Sequence, residues 1–152
     1  MYTLQAYPDF DLDEPFILTT DWLSLNIAGV LSQKQDGVER FLCCWGRKCN
    51  RYERHYSSAK GELLALVKCM KKWEHILKYW PPFLVYTDAA SLMYIVNLKS
   101  EESIFQHWYT ELAQFEFIVR MLMQMLYPEP NILMSQQKKK MKNIKKQTKW
   151  EK

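Results

Sequence analysis

Two short stretches of this sequence decide how it is interpreted: FLVYTDAASL at residues 83–92 and FILTTDWLSL at residues 16–25. Each is an apolar, strand-favouring run that leads through a threonine to a single aspartate. A carboxylate at the end of a buried strand is costly unless it is paired, hydrogen-bonded or bound to a metal ion. The repeated Thr-Asp ending therefore predicts that Asp21 and Asp88 share one role.

The segments around these stretches predict a mixed α/β fold. Strands are predicted at residues 16–21, 26–33, 38–45, 83–87 and 115–120, and helices within residues 57–82, 91–97 and 102–113. A turn at residues 34–37 joins the second and third strands as an antiparallel pair. The long amphipathic helix within residues 57–82 then crosses over to the fourth strand, which runs parallel to the first. The predicted architecture is a mixed five-stranded sheet, three antiparallel strands followed by parallel strands, with flanking helices.

Composition limits the class of protein. The chain has 152 residues, of which 48% are hydrophobic, so it is one domain's length with enough apolar residues for a core. Its longest apolar runs are too short to span a membrane, and the acidic N-terminal stretch does not resemble a secretory signal. The four cysteines are too irregularly spaced for a disulfide framework or a zinc site. We expect an intracellular protein that is not secreted and has no membrane partner.

The net charge of +4 is unevenly distributed along the chain. Residues 138–152 carry eight lysines and one glutamate, which is +7, so the rest of the chain carries +4 − 7 = −3. A low-complexity lysine-rich segment is typical of disorder, and residues 123–152 are expected to form a disordered tail. Nonspecific phosphate binding, a localisation signal and an extension without a role all remain open for it.

A third carboxylate completes the pattern. Glu62 precedes Leu66 by four residues and Cys69 by seven, which places it on an apolar stripe of the long helix, facing the sheet. Alone, a glutamate in a first helical turn is explained by the helix dipole, Asp21 by a strand-end turn and Asp88 by a helix cap. If the helix packs across neighbouring first and fourth strands, the three carboxylates converge. They would then repel one another unless a cation lay between them, and oxygen ligands suit Mg²⁺ or Mn²⁺ rather than zinc.

Three blocks of the sequence carry a family resemblance: TDWLSLNIAGVLSQ at residues 20–33, CCWGRKCNRYERHYSSAKGELLALVKCMKKWEHIL at residues 43–77, and FLVYTDAASLMYIVN at residues 83–97. In order and spacing they resemble the ribonuclease H domain of gypsy-type (long-terminal-repeat) retrotransposon reverse transcriptases. The resemblance extends from about residue 4 to residue 120. It implies a ribonuclease H-like fold for residues 16–122, preceded by a connection segment at residues 1–15.

The resemblance also implies a function and its residues. Asp21, Glu62 and Asp88 match the family's catalytic, metal-ligating carboxylates, and the implied cofactor is Mg²⁺ or Mn²⁺. The implied substrate is the RNA strand of an RNA–DNA hybrid, cut by metal-activated water. The implied partner is the polymerase domain of the same polyprotein. Candidate nucleic-acid-binding residues occupy the segment between the third strand and the long helix: Asn50, Arg47, Lys48 and Tyr56. Ordinary surface or packing roles are favoured for all of them except Asn50.

The sequence departs from the family pattern in three places. No aspartate follows Asp88, so the fourth acidic ligand of the family is missing. Trp22 and Leu23 stand where the family has small residues, and Gly61 weakens the first turn of the long helix by about 1 kcal/mol relative to alanine. Two hypotheses follow: an active hybrid ribonuclease, and a catalytically degenerate module with a structural or nucleic-acid-binding role.

Overall fold

The computed structural model describes residues 11, 13–80, 82–88 and 103–121. The chain divides into two compact units, residues 1–122 and 123–152, and every described residue belongs to the first. The predicted helix at residues 91–97 and the predicted tail lie outside the described residues. Among the helices of the described part, none is both long enough and apolar enough to cross a membrane.

Within the described residues there are five strands: β1 (Phe16–Leu23), β2 (Asn26–Gln35), β3 (Val38–Lys48), β4 (Phe83–Thr87) and β5 (Phe117–Met121). They form one sheet in the spatial order β3-β2-β1-β4-β5. The β1–β2 and β2–β3 pairs are antiparallel, and the β1–β4 and β4–β5 pairs are parallel. The predicted fold class is thereby confirmed. A 3₁₀ turn (Glu53–His55), α1 (Ser58–Lys72) and α2 (Glu74–Leu77) lie between β3 and β4, and α3 (Ser103–Leu112) precedes β5.

The hairpin between β2 and β3 shows why the meander forms. Asp36 and Gly37 both have positive φ, 51° and 79°, which is the backbone a two-residue hairpin turn requires. Glycine adopts this conformation freely, and aspartate tolerates it better than most residues. The turn is therefore two residues long, and β2 continues to Gln35 rather than ending at Gln33 as predicted.

Several other predicted boundaries are wrong. β3 continues past Trp45 to Lys48 because its pairing with β2 continues to the pair of Lys48 with Asn26. β1 continues past Asp21 to Leu23 because its pairing with β2 continues to the last pair, Leu23 with Asn26. The predicted single helix ends at Lys72, and Trp73 (φ −107°, ψ 23°) separates it from α2. Apolar residues continue at helical spacing on both sides of Trp73, so the pattern does not mark the break. The fifth strand begins at Phe117, two residues later than predicted, because Phe115 still closes the turn after α3 by donating its N–H to the Leu112 carbonyl.

One face of the sheet carries the core. Phe16 and Leu18 of β1 and Phe83 and Val85 of β4 point to this face and belong to the main buried cluster. α1 supplies most of the opposing apolar side chains, and α3 adds Trp108 and Leu112. Because side chains alternate along a strand, Thr20 and Trp22 share the α1 side of β1, and Asp21 faces the other side.

Candidate metal and nucleic-acid site

The two Thr-Asp dipeptides lie side by side at one end of the sheet. The parallel ladder pairs Ile17 with Leu84, Leu18 with Val85 and Thr19 with Tyr86. Continued by two residues, this register sets Thr20 beside Thr87 and Asp21 beside Asp88. Both threonines are buried and both aspartates are exposed. Adjacent strands are about 4.8 Å apart, so this continued register would make the two aspartates neighbours, with Asp88 one residue beyond the end of β4.

Glu62 reaches the same end of the sheet from α1. Ser57 caps this helix by accepting a hydrogen bond from the Lys60 N–H at 3.4 Å, and Glu62 follows in the second turn. The side chain points inward, and the residue is only 5% exposed. Its carboxylate accepts a hydrogen bond from the backbone N–H of Trp22, in the part of β1 that extends beyond the ladder with β4. The structure thus brings Glu62 to the residue that follows Asp21.

The environment of Glu62 does not favour a negative charge. Burial raises its pKa from the ordinary value of 4.5 to about 7, and the negative charges of Asp21 and Asp88 add to the rise. Oε2 is buried and has no hydrogen-bond partner among the described residues. A buried carboxylate with an orphaned oxygen and two acidic neighbours is stabilised by protonation or by a cation.

The three carboxylates could hold a hard cation, but they do not form a ready-made cage. Within the described residues, no three acidic, histidine or cysteine side chains are close enough together to surround one ion. The donor chemistry fits Mg²⁺ or Mn²⁺, since oxygen atoms alone are offered and one of them lacks any partner. The assignment of Asp21, Glu62 and Asp88 as metal ligands stays a prediction.

The predicted nucleic-acid-binding residues divide into two groups. The Arg47 guanidinium donates to both oxygens of Glu53, at 2.7 and 2.8 Å, so it is engaged by the segment between β3 and α1. Tyr56 is half-buried, and its ring packs edge-on against Trp108. Lys48 and Asn50 are exposed. A role in binding nucleic acid stays a prediction for all four.

Asn50 has a structural role as well. Its Oδ1 accepts hydrogen bonds from the backbone N–H groups of Tyr52 and Glu53, at 3.0 and 2.9 Å. This side chain therefore fixes the turn between β3 and α1. Its amide nitrogen is not used in these two bonds.

Two features of the site were missed in the sequence. Glu53 is only 6% exposed and organises the loop through Arg47, and the Arg47–Asn50–Glu53 spacing was its only signal. The second is the contact of the Trp22 indole with Gly61. The sequence offered one indication of it: each residue departs from the family pattern next to a predicted ligand. Neither could be recognised without knowing which residues meet in space.

Comparison with known proteins agrees with this geometry. The model of the RNase H-like domain found in reverse transcriptase matches residues 11–115. The chain is 34% identical over 110 residues to the retrovirus-related Pol polyprotein from transposon 297 of Drosophila melanogaster, covering 72% of this chain and 10% of that protein. It is 30% identical over 112 residues to the transposon Tf2-3 polyprotein of Schizosaccharomyces pombe, covering 71% of this chain and 8% of that protein. The chain thus spans about a tenth of the length of these relatives.

A solved structure shows the same fold. The foamy viral protease-reverse transcriptase in complex with RNA/DNA hybrid superposes with a TM-score of 0.59 at 12% identity, over 83% of this chain and 17% of that one. At this identity the likeness shows the fold alone. The family match and the polyprotein relatives show more, and they confirm the resemblance found in the sequence. The chain belongs to the family of RNase H-like domains found in reverse transcriptases.

Proposed function

We propose that this chain is the ribonuclease H module of a retrotransposon reverse transcriptase and hydrolyses the RNA strand of an RNA–DNA hybrid. One observation carries the proposal. A buried, incompletely hydrogen-bonded glutamate lies within electrostatic reach of Asp21 in β1 and of Asp88, which directly follows the parallel strand β4. Buried acidic groups with raised pKa values are expected where a protein binds a cation or performs acid–base chemistry.

Each carboxylate has a part in this proposal. Asp21 and Asp88 present exposed carboxylates, and Glu62 adds a buried one from the α1 side. When bound, Mg²⁺ or Mn²⁺ supplies activation of the attacking water and stabilisation of the leaving oxygen of a phosphodiester. The protein's contribution is to fix these oxygens on two strands and a helix, which are rigid supports.

The proposed substrate and partners follow from the relatives. The structural neighbour is described as a reverse transcriptase bound to RNA/DNA hybrid, and the curated relatives are Pol polyproteins. We propose a hybrid as substrate and the polymerase domain of the same polyprotein as partner. Exposed Lys48 and Asn50 are proposed to contact the hybrid, since Lys48 ends β3 and Asn50 lies in the segment that follows it before α1. All four cysteines are free thiols, which suits an intracellular location.

A hybrid-cleavage assay tests the reaction. Wild-type protein, Asp21→Asn and Asp88→Asn are incubated with a labelled hybrid in Mg²⁺ and in Mn²⁺. We expect weak cleavage by the wild type, stronger in Mn²⁺ because Mg²⁺ demands a more ideal octahedral site, and none by either variant. Cleavage that survives both substitutions means contamination or a different site.

A second candidate function is a catalytically silent module that binds nucleic acid. Two observations favour it: the sequence has no aspartate after Asp88, and the described residues hold no closed cation cage. Absence of cleavage by folded wild type in either metal would support this candidate. Hybrid binding is then measured against salt, with and without residues 138–152. Because each phosphate contact releases counterions, deleting eight lysines should weaken binding and flatten the salt dependence.

A further inference from the structure

The Trp22 indole lies so close to Gly61 that no side chain can be added at position 61 unless the ring or the helix shifts. A Cβ atom built on Gly61 would lie 2.1, 2.3 and 2.6 Å from Cδ2, Cε2 and Cγ of the Trp22 indole. Carbon atoms that are not bonded do not approach so closely, since their optimal separation is about 3.5–4.0 Å. The ring therefore occupies the space where any other residue at position 61 would place its side chain.

This contact joins the elements that carry two of the proposed ligands. Trp22 directly follows Asp21 in β1, and Gly61 directly precedes Glu62 in α1. The backbone N–H of Trp22 also donates to the Glu62 carboxylate. The start of α1 is thus fixed against the end of β1 by a ring contact and a hydrogen bond in adjacent residues.

The two residues are each unfavourable alone. Glycine in a helix interior is less stable than alanine, because it leaves the unfolded chain more freedom. A half-buried tryptophan on this side of β1 would collide with the helix if position 61 carried a side chain. Together they are complementary, so the two departures from the family pattern are one feature of the structure and not two independent lesions.

We propose that Trp22 is a positioning residue for Glu62, and that Gly61 is the residue that admits it. The indole sets the distance between α1 and β1, and this distance decides where the Glu62 carboxylate lies relative to Asp21. The effect of Trp22 on metal binding rests on the proposed function. The packing of Trp22 against Gly61 rests on the described contact alone.

A double-mutant cycle tests whether Trp22 packs against Gly61 as described. In most helices Gly→Ala raises the melting temperature. Here Gly61→Ala should lower Tm by roughly 3–6 °C, because the new methyl displaces the ring. In the Trp22→Ala background the same substitution should raise Tm, since the space is then free. A rise in both backgrounds overturns the proposal, and the double variant keeps the test usable if Gly61→Ala alone does not fold.

Titration calorimetry with Mn²⁺ tests whether Trp22 positions Glu62 for metal binding. We expect Gly61→Ala and Trp22→Ala each to weaken Mn²⁺ binding about tenfold or more, as removal of an outer-shell partner does in other metal sites. Trp22→Phe keeps a flat ring and the backbone N–H, so it should stay near the wild-type affinity. Leu112→Ala, a core substitution in α3, should lower Tm without changing Mn²⁺ affinity.

The outcomes separate the two proposals. Wild type that binds Mn²⁺, with Gly61→Ala binding equally well, overturns the positioning role and leaves the proposed function standing. Wild type that does not bind Mn²⁺ contradicts the proposed function and the positioning role with it. Loss of Mn²⁺ affinity in Gly61→Ala, with the affinity of Trp22→Phe and Leu112→Ala unchanged, supports the inference. General destabilisation would have lowered the Mn²⁺ affinity of Leu112→Ala as well.

Discussion

Two buried glutamates of this domain, Glu53 and Glu62, have nearly the same exposure, 6% and 5%, and opposite environments. Glu53 accepts two hydrogen bonds from Arg47 and one from the Asn50 N–H, at 2.7–2.9 Å. The Arg47 guanidinium holds its pKa below the ordinary value of 4.5. Glu62 receives a hydrogen bond from the Trp22 N–H, and burial beside two aspartates raises its pKa to about 7.

The consequence of burying a carboxylate depends on the charges around it. Where a cationic side chain of the protein pairs with the carboxylate, the carboxylate stabilises the fold. Where the protein supplies acidic neighbours instead, the carboxylate is held in a state that a ligand can stabilise. Removal of the Glu53 charge should therefore lower stability and leave cleavage in place. Removal of the Glu62 charge should lower cleavage and leave stability unchanged or higher.

The largest expected effect is on cleavage by Glu62→Gln. The substitution keeps the shape and removes the charge, so we expect cleavage to fall by more than the roughly 10–100-fold caused by losing an outer-shell partner. The unfolding free energy at pH 8 should stay equal or rise, because repulsion from Asp21 and Asp88 is removed. Cleavage and urea unfolding are measured on the same preparation. Glu116→Gln, an exposed carboxylate after α3, is the matched control and should change neither.

The second effect is on stability, in Glu53→Gln. Arg47 would lose its counter-charge, and we expect a loss of about 2–3 kcal/mol, below the range for a fully buried pair because Arg47 is partly exposed. Urea unfolding at pH 7 measures it. Cleavage at a temperature where the variant is folded should persist. A loss no larger than that of Glu116→Gln would show that the Arg47–Glu53 pair does not organise the loop.

The third effect is on the pH dependence of stability. Between pH 4.5 and about 7 the folded protein keeps a proton on Glu62 that the unfolded chain has lost, so Glu62 lowers stability as pH rises through this window. Relative to Glu62→Gln, the wild type should lose at most about 3 kcal/mol over it. Glu53 has a lowered pKa, so its contribution is present above pH 4.5 and is lost as pH falls below it.

Unfolding curves at several pH values test both signs. The wild type should converge with Glu53→Gln in acid and diverge from Glu62→Gln toward neutral pH. Parallel curves for wild type and Glu62→Gln would contradict the raised pKa.

The smallest expected effect is that of Arg47→Lys. Lysine keeps the charge but cannot donate to both oxygens of Glu53 in the planar geometry of a guanidinium. We expect a loss of about 1 kcal/mol in the unfolding free energy, less than that of Glu53→Gln. A loss as large as that of Glu53→Gln would mean that the two hydrogen bonds, and not the charge, stabilise the loop.

Much of the fold could be read from the sequence because its signals are local. Alternation, turn residues and apolar runs indicate β1 to β4, and the Asp36-Gly37 turn fixes the antiparallel hairpin. The extension of β1 to Leu23 could not be predicted, since it depends on pairing with β2. The break at Trp73 could not be predicted either, because the apolar pattern passes through it.

The order of strands and helices, the family, and the three carboxylates proposed to share a cation could be inferred from the sequence. These follow from side-chain periodicity and from spacing along the chain. Three features appear only in the packed structure: the β1–β4 register, which continued by two residues sets Asp21 beside Asp88; the burial of Glu62 with one oxygen unpartnered; and the fit of the Trp22 ring against Gly61. The physical reason is that register, burial and steric fit are properties of residues distant in the chain, and they exist only once the elements have packed.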